Sequence, residues 1–337
     1  MPTHLPRVPA ASRCLCLCLC LTLLAATTCT GCTAPSAPGA PAPVGGTTAV
    51  TDVPAWTRAL LAARAGNDQE MRTAVTSPFA AIERHIVPAG ERTFVEVSDA
   101  GVTLTHTADP GPDAALELTP PAPPQGGAWT WRPLRPGLAG TDRDAAHPIE
   151  PGPSAAPVLV RLPVGSAPPR FSVLVQAVEA TLVVTVYDTR SEPLTHYRGL
   201  SLYAPDPRFA VSARLRRHEH PEPVQLPTMI GLKKTFVRYA ELRFQLAGKA
   251  LALTAYQIPG SPSLFVPFRD ATSGHESYGA GRYLDLELPA QGDTLLLDFN
   301  RAYSPLCSYS PAFNCPIPPA ENQLAVPVLA GEQTYPH

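Results

Sequence analysis

The sequence predicts a mainly β fold, an antiparallel sandwich or partly open barrel behind a short helical N-terminal preface. Three observations point there. The 337 residues include 42 prolines and 23 glycines, about a fifth of the chain, which disfavours long helices and favours short strands joined by turns. Hydrophobic residues make up 45% and charged residues 16%, enough for a sizeable core under a sparsely charged surface. From residue 93 onward apolar and polar residues alternate in segment after segment without intervening helices. That pattern suits antiparallel sheets with one covered face and argues against a βαβ fold.

The N-terminal 31 residues read as an export signal. Arg7 and Arg13 precede an apolar run, Cys14 to Ala26, which is too short to span a bilayer as a helix. Small residues follow, and Gly31 stands directly before Cys32. This order resembles the lipobox of bacterial lipoproteins, in which Cys32 is acylated and becomes the new N-terminus. Cys29 replaces the usual leucine three places earlier, so an ordinary cleaved signal with a stray cysteine is the alternative. Residues 32–50 are rich in Pro, Ala, Gly and Ser and read as a solvated tether. The resulting expectation is a protein held in the cell envelope by lipid, on the periplasmic face of an outer membrane where one exists.

Residues 51–335 form the predicted β-rich region, with 51–131 a candidate smaller subdomain and 157–335 the main β core. Asp52 caps a helix that has Pro54 in its first turn and Trp56, Leu60 and Leu61 on one face. Ser77-Pro78 opens a second short helix through about His85. Strands are expected at 93–97, 102–107, 114–119 and 128–131, then a Pro/Gly-rich loop over 132–156. Further strands follow at 158–162, 171–177, 181–187, 209–215, 235–246, 251–258, 264–268, 282–288, 294–299 and 325–329. Gly248-Lys249 and residues 290–292 read as hairpin loops.

Charge and cysteine usage narrow the function. The formal charge is −2, and about −4 once Arg7 and Arg13 are removed, so there is no basic excess to neutralise nucleic-acid phosphates. Five of the eight cysteines lie in the segment to be removed. With Cys32 lipidated, Cys307 and Cys315 remain as a pair, read as a disulfide in an oxidising compartment. Their spacing lacks the paired pattern of a zinc site, and His218-Glu219-His220 before Pro221 has no evident third ligand, so the chain implies neither metal nor cofactor.

Two stretches are dense in chemistry: FRDATSGHESYGAGRYLDLELP from Phe268, and LLLDFNRAYSPLCSYSPAFNCPIPPAENQLAVPVLAGE from Leu295. They resemble the bacterial family known as domain of unknown function 1684, over roughly Thr51 to Glu332 and in most detail at these two blocks. The resemblance implies homology to proteins often exported or lipidated and carries no established activity. In the first block Arg269, Asp270, Thr272, Ser273, Glu276, Tyr278 and Arg282 surround flexible glycines, a set able to make a polar pocket or to brace a long loop. In the second, Asn300, Arg301 and Tyr303 precede a proline-stiffened loop closed by the cysteine pair. Three functions remain open: binding of a small polar ligand, glycan or protein through loops 268–283 and 298–322; a hydrolase-like enzyme using Asp270, Ser273, Glu276 and Tyr278; and a structural envelope component. Thr272-Ser273-Gly274 lacks the glycine pattern of a nucleophile elbow.

Overall fold

The structure is a computed structural model that describes residues 49–337 apart from 89, 122–126, 136–137, 139–144, 152–155, 165–167, 179–180, 232 and 260. The expected signal segment, Cys32 and nearly all of the tether lie outside the described residues. The described chain is mainly β and built from antiparallel sheets, as expected, behind an N-terminal helix of 21 residues.

Helix α1 (Val53–Thr73) starts where Asp52 accepts the Ala55 N–H at 2.9 Å, with proline in the first turn. Leu60 is buried but Leu61 is half exposed, so the buried face is narrower than the expected trio. No helix among the described residues is long and apolar enough to cross a membrane. The second expected helix is instead a single 3₁₀ turn (Pro78–Ala80) running into strand β1 (Ala81–Val87). Local period favoured a helix at Phe79, Ile82 and Ile86. Antiparallel pairing of residues 83–87 with a neighbouring strand prevails, and it carries Val87 into the core.

The first half is a two-sheet sandwich. One sheet has the order β1-β9-β8-β7, formed with β7 (Val158–Leu162), β8 (Phe171–Val178) and β9 (Thr181–Asp188). The other has the order β3-β2-β4-β5-β6, formed by β2 (Thr93–Ser98), β3 (Gly101–Thr105), β4 (Ala114–Thr119), β5 (Trp129–Pro133) and β6 (His147–Ile149). Val95, Leu116, Leu118, Trp131, Val160, Val173 and Val184 interleave between the two faces. Strand β6 lies in the segment expected to be loop. It is only three residues long and pairs with β5, a contact that leaves no alternation to read.

A short helix, α2 (Glu192–Thr195), leads to the second half. Its sheet has the order β14-β13-β12-β11-β10-β15, with β10 (Ala210–Pro227), β11 (Lys233–Leu246), β12 (Lys249–Gln257), β13 (Ser263–Phe268), β14 (Arg282–Glu287) and β15 (Thr294–Asp298). The turn at Ala247–Gly248 makes the expected hairpin, with both residues at positive φ. Residues 290–292 do not. They join β14 to β15, which are opposite edges of the sheet. A link this short spans roughly 20 Å at most, so the sheet must curl until its edges approach, giving a partly open barrel. Strand β10 runs on past the expected end at 215, through a bulge at residues 218–221, so His218, Glu219 and His220 lie in a strand and not in a turn. The bulge absorbs Pro221, which cannot donate to a regular ladder.

The barrel interior holds Leu242, Phe244, Leu253, Val266, Leu284, Leu297 and Phe299. Its last wall is the chain's own C-terminal segment, which contributes Leu324, Val326, Val328 and Ala330. Residues 325–329 are not the expected strand. They form an irregular strap bonded to side chains at Val328 and to the Ala271 N–H at Val326, instead of to a ladder.

Candidate functional site

The strap explains the first polar block. Arg282 is fully buried. Its Nη1 donates to the carbonyls of Ala330 and, at 3.1 Å, Glu332. Nη2 donates to the Val328 carbonyl at 2.8 Å and to Asp270 Oδ1 at 3.2 Å. Burial pulls the guanidinium's pKa down, and the facing Asp270 carboxylate pushes it back up. Asp270 Oδ2 accepts the Val328 N–H at 2.7 Å and the Thr272 hydroxyl at 2.9 Å, and Oδ1 also accepts from Ser273. Gly281 lets the loop close, since a Cβ there would stand 2.5 Å from the Phe268 carbonyl oxygen.

Thus Asp270, Thr272, Ser273 and Arg282 are brought together and bonded to one another and to the strap, while the Arg282 Nε is buried without a partner. The other candidates of this block point to separate partners. Glu276 is exposed and accepts from the Tyr203 hydroxyl at 3.1 Å. Tyr278 bonds to the Cys307 thiol, and burial raises its pKa to about 12. Arg269 anchors the 319–324 segment through its backbone, bonding to Asn322 and Leu324.

The second block divides likewise. The Asn300 amide is committed to the backbone of Asp206, accepting its N–H at 2.9 Å and donating to its carbonyl at 2.8 Å. The Tyr303 hydroxyl donates to Asp285 at 2.8 Å. Burial raises the Asp285 pKa, and that hydrogen bond opposes the rise. Arg301 is half exposed, with only a loose approach of 3.6 Å to Asp298.

Arg301, Asn300 and Tyr303 nevertheless share one feature. They line a cleft of about 220 Å³ beside α1, facing Leu60, Arg64, Asn67 and Glu332. Arg64 is held by the Tyr203 carbonyl at 2.8 Å and the Asn300 carbonyl at 3.0 Å, while its Nε is buried without a partner. Burial lowers its pKa, and Asp298 and Glu332 act in the opposite sense. Glu332 is buried, accepting from the Ser304 N–H at 2.8 Å and from the Tyr309 hydroxyl, and burial raises its pKa. Sequence reasoning missed Arg64 and Glu332. A signal for Arg64 existed: it follows Leu60 by four residues and so lies on the buried stripe of the helix.

Cys307 and Cys315 meet as expected, but both are free thiols here: the Cys307 N–H points at Cys315 Sγ at 3.3 Å. Among the described residues no three His, Cys, Asp or Glu side chains gather as a metal-ligand set.

The model of a protein family of unknown function, DUF1684, matches residues 195–333, a narrower span than the resemblance read from Thr51 onward. No curated protein matches. Among solved structures, the chain is similar to an uncharacterized protein of Haloarcula marismortui determined by solution NMR. The two are 44% identical over 42% of this chain and 80% of that one, with a TM-score of 0.37.

Proposed function

The chain belongs, through residues 195–333, to the family of unknown function DUF1684, and we propose that it is a lipid-anchored envelope protein that binds a small anionic ligand without transforming it. The cleft beside Arg64 and Arg301 carries this reading. Two guanidinium groups border it, one fixed by carbonyls with a buried N–H unspent, the other half exposed and loosely held. Arg is well suited to clamp a carboxylate in bidentate fashion. At about 220 Å³ the cleft is smaller than the roughly 300–1,000 Å³ of sites for drug-sized molecules, which favours a compact carboxylic acid over a glycan.

The hydrolase alternative has less support. Asp270 has no lone pair to spare for a proton relay, and Glu276 and Tyr278 serve other partners. None of the four borders the Arg64–Arg301 cleft.

The test is a thermal-shift screen of the mature protein with small mono- and dicarboxylic acids. At least one acid is expected to raise the melting temperature, and Arg301→Gln to abolish the rise while the unliganded midpoint stays put. The reading fails if no acid stabilises the protein, or if the variant responds like the parent. Anchoring is tested separately by detergent phase partition, in which Cys32→Ser moves the protein to the aqueous phase. Partition unchanged by that substitution would remove the lipid from the proposal.

A further inference from the structure

The cysteine pair lies outside the cleft and has no part in the binding just described. Cys315 is 8% exposed and sits among Leu226, Phe236, Tyr256, Phe265 and Tyr283 at one end of the barrel, with the half-buried Cys307 against it. The two thiols are hydrogen-bonded, and Cys315 Sγ also receives the Cys307 N–H. Their segment is pinned without any covalent link. The Cys315 carbonyl accepts from the Met229 N–H at 3.1 Å, Ile317 N–H donates to Pro227 at 2.8 Å, and the Tyr283 hydroxyl donates to the Pro316 carbonyl. The Ser310 hydroxyl bonds the Ala81 carbonyl at 2.7 Å across to β1. A crosslink is therefore not needed to shape this loop, and the dithiol already holds its sulfurs side by side.

We propose that Cys307 and Cys315 form a redox-active dithiol that exchanges with low-molecular-weight disulfides. Cys315 first loses its proton to solvent; Cys307, the more accessible sulfur, then passes its proton across the shared hydrogen bond to the Cys315 thiolate and attacks one sulfur of the external disulfide. That S–S bond breaks, and the first external thiolate leaves and is protonated by water. Cys315 then loses its proton to solvent and attacks Cys307 Sγ in the mixed disulfide, expelling the second external thiolate. Two protein thiols and one disulfide thus become one protein disulfide and two external thiols.

The surroundings favour a negative charge on Cys315, while the hydrogen bond to Cys315 and burial raise the Cys307 pKa. The Cys315 pKa is lowered to about 7, chiefly by the hydrogen bond from the Cys307 thiol, then by the Cys307 and Leu306 N–H groups and the Lys234 charge, against the effect of burial. Arg84 on β1 adds a second positive charge, and the hydroxyls of Tyr278, Tyr283 and Tyr303 are the remaining titratable groups facing the pair.

The experiment equilibrates the reduced full chain across ratios of reduced to oxidised glutathione, quenches in acid, and reads thiols by alkylation and mass spectrometry. Expected is an intramolecular disulfide that forms and reverses within that range, and a glutathione adduct trapped on Cys307 in Cys315→Ser. A disulfide that survives the most reducing ratio would make the link a structural staple and overturn the proposal. So would thiols that never oxidise, or a folded Cys315→Ser that forms no adduct. The unmutated protein gives an independent readout, because its native alkylation rate should rise with a midpoint below that of an ordinary free thiol. A rise only at about 8.5, the range of an ordinary free thiol, would also refute it.

Discussion

Replacing Asp270 by alanine tests whether the first polar block is a brace. The substitution removes the carboxylate bonded to Arg282, whose side chain is fully buried, and strands the Val328 N–H that Asp270 holds at 2.7 Å. Breaking a buried ion pair by removing one partner costs about 3–5 kcal/mol, because the remaining charge is left uncompensated. At about 2–4 °C per kcal/mol for a chain of this size, the melting midpoint should drop by roughly 6–20 °C. Urea unfolding followed by tryptophan fluorescence measures the free-energy change directly. The cycle is completed with Arg282→Met and the double variant. The two losses should fall short of additivity by about 1–3 kcal/mol, since the double variant leaves no lone charge behind. A single-variant loss below about 1 kcal/mol, or additivity within about 0.5 kcal/mol, would show that the pair does not carry the strap.

Other consequences are as direct. Gly331 has φ +80°, and a Cβ there would stand 2.5 Å from the Ala302 carbonyl oxygen and 2.8 Å from that of Phe299. Gly331→Ala should therefore cost at least about 1–3 kcal/mol in a melt, through strain and displacement of the strap. Glu332 has a pKa raised above the usual 4.5 by burial, so the folded state binds its proton more tightly than the unfolded chain does. Its contribution is fully present below the unfolded pKa and is lost as pH rises through the folded one. Relative to Glu332→Gln, the parent should lose stability as pH rises through that window, and parallel pH–stability curves would contradict this. At α1, Asp52→Ala should cost about 1 kcal/mol by removing the cap on the Ala55 N–H, measurable by urea titration.

Most of the fold was legible because its strands carry their own signal. Alternation in 158–162, 171–177 and 181–187 marked β7, β8 and β9 to within a residue, and Asp52-x-Pro54 marked the start of α1. These are local properties: which side chains face inward along one strand, and which oxygen reaches the first free N–H. The failures are all cases where a distant partner decided. Residues 81–87 became a strand because β9 was there to pair with, and 325–329 did not become one, with Arg282 and Asp270 holding the Val328 carbonyl and N–H. The turn at 290–292 looked like a hairpin, but the sheet had curled and brought its two edges together.

The same division holds for chemistry. By itself the sequence determined the polar blocks, the cysteine pair and the order of charged, apolar and small residues that reads as an export signal. Composition and order along the chain carry such features without reference to folding. Only the tertiary structure decided which polar groups are free to act. Asp270 and Arg282 are alike in sequence to any pair of binding residues, yet burial and their bonds to each other and to the strap make them a brace. Arg64 and Glu332, 268 positions apart in numbering, border one cleft with Arg301 because α1 lies against the 300–303 segment. No local pattern encodes that meeting, since it depends on surfaces that exist only once the barrel has closed.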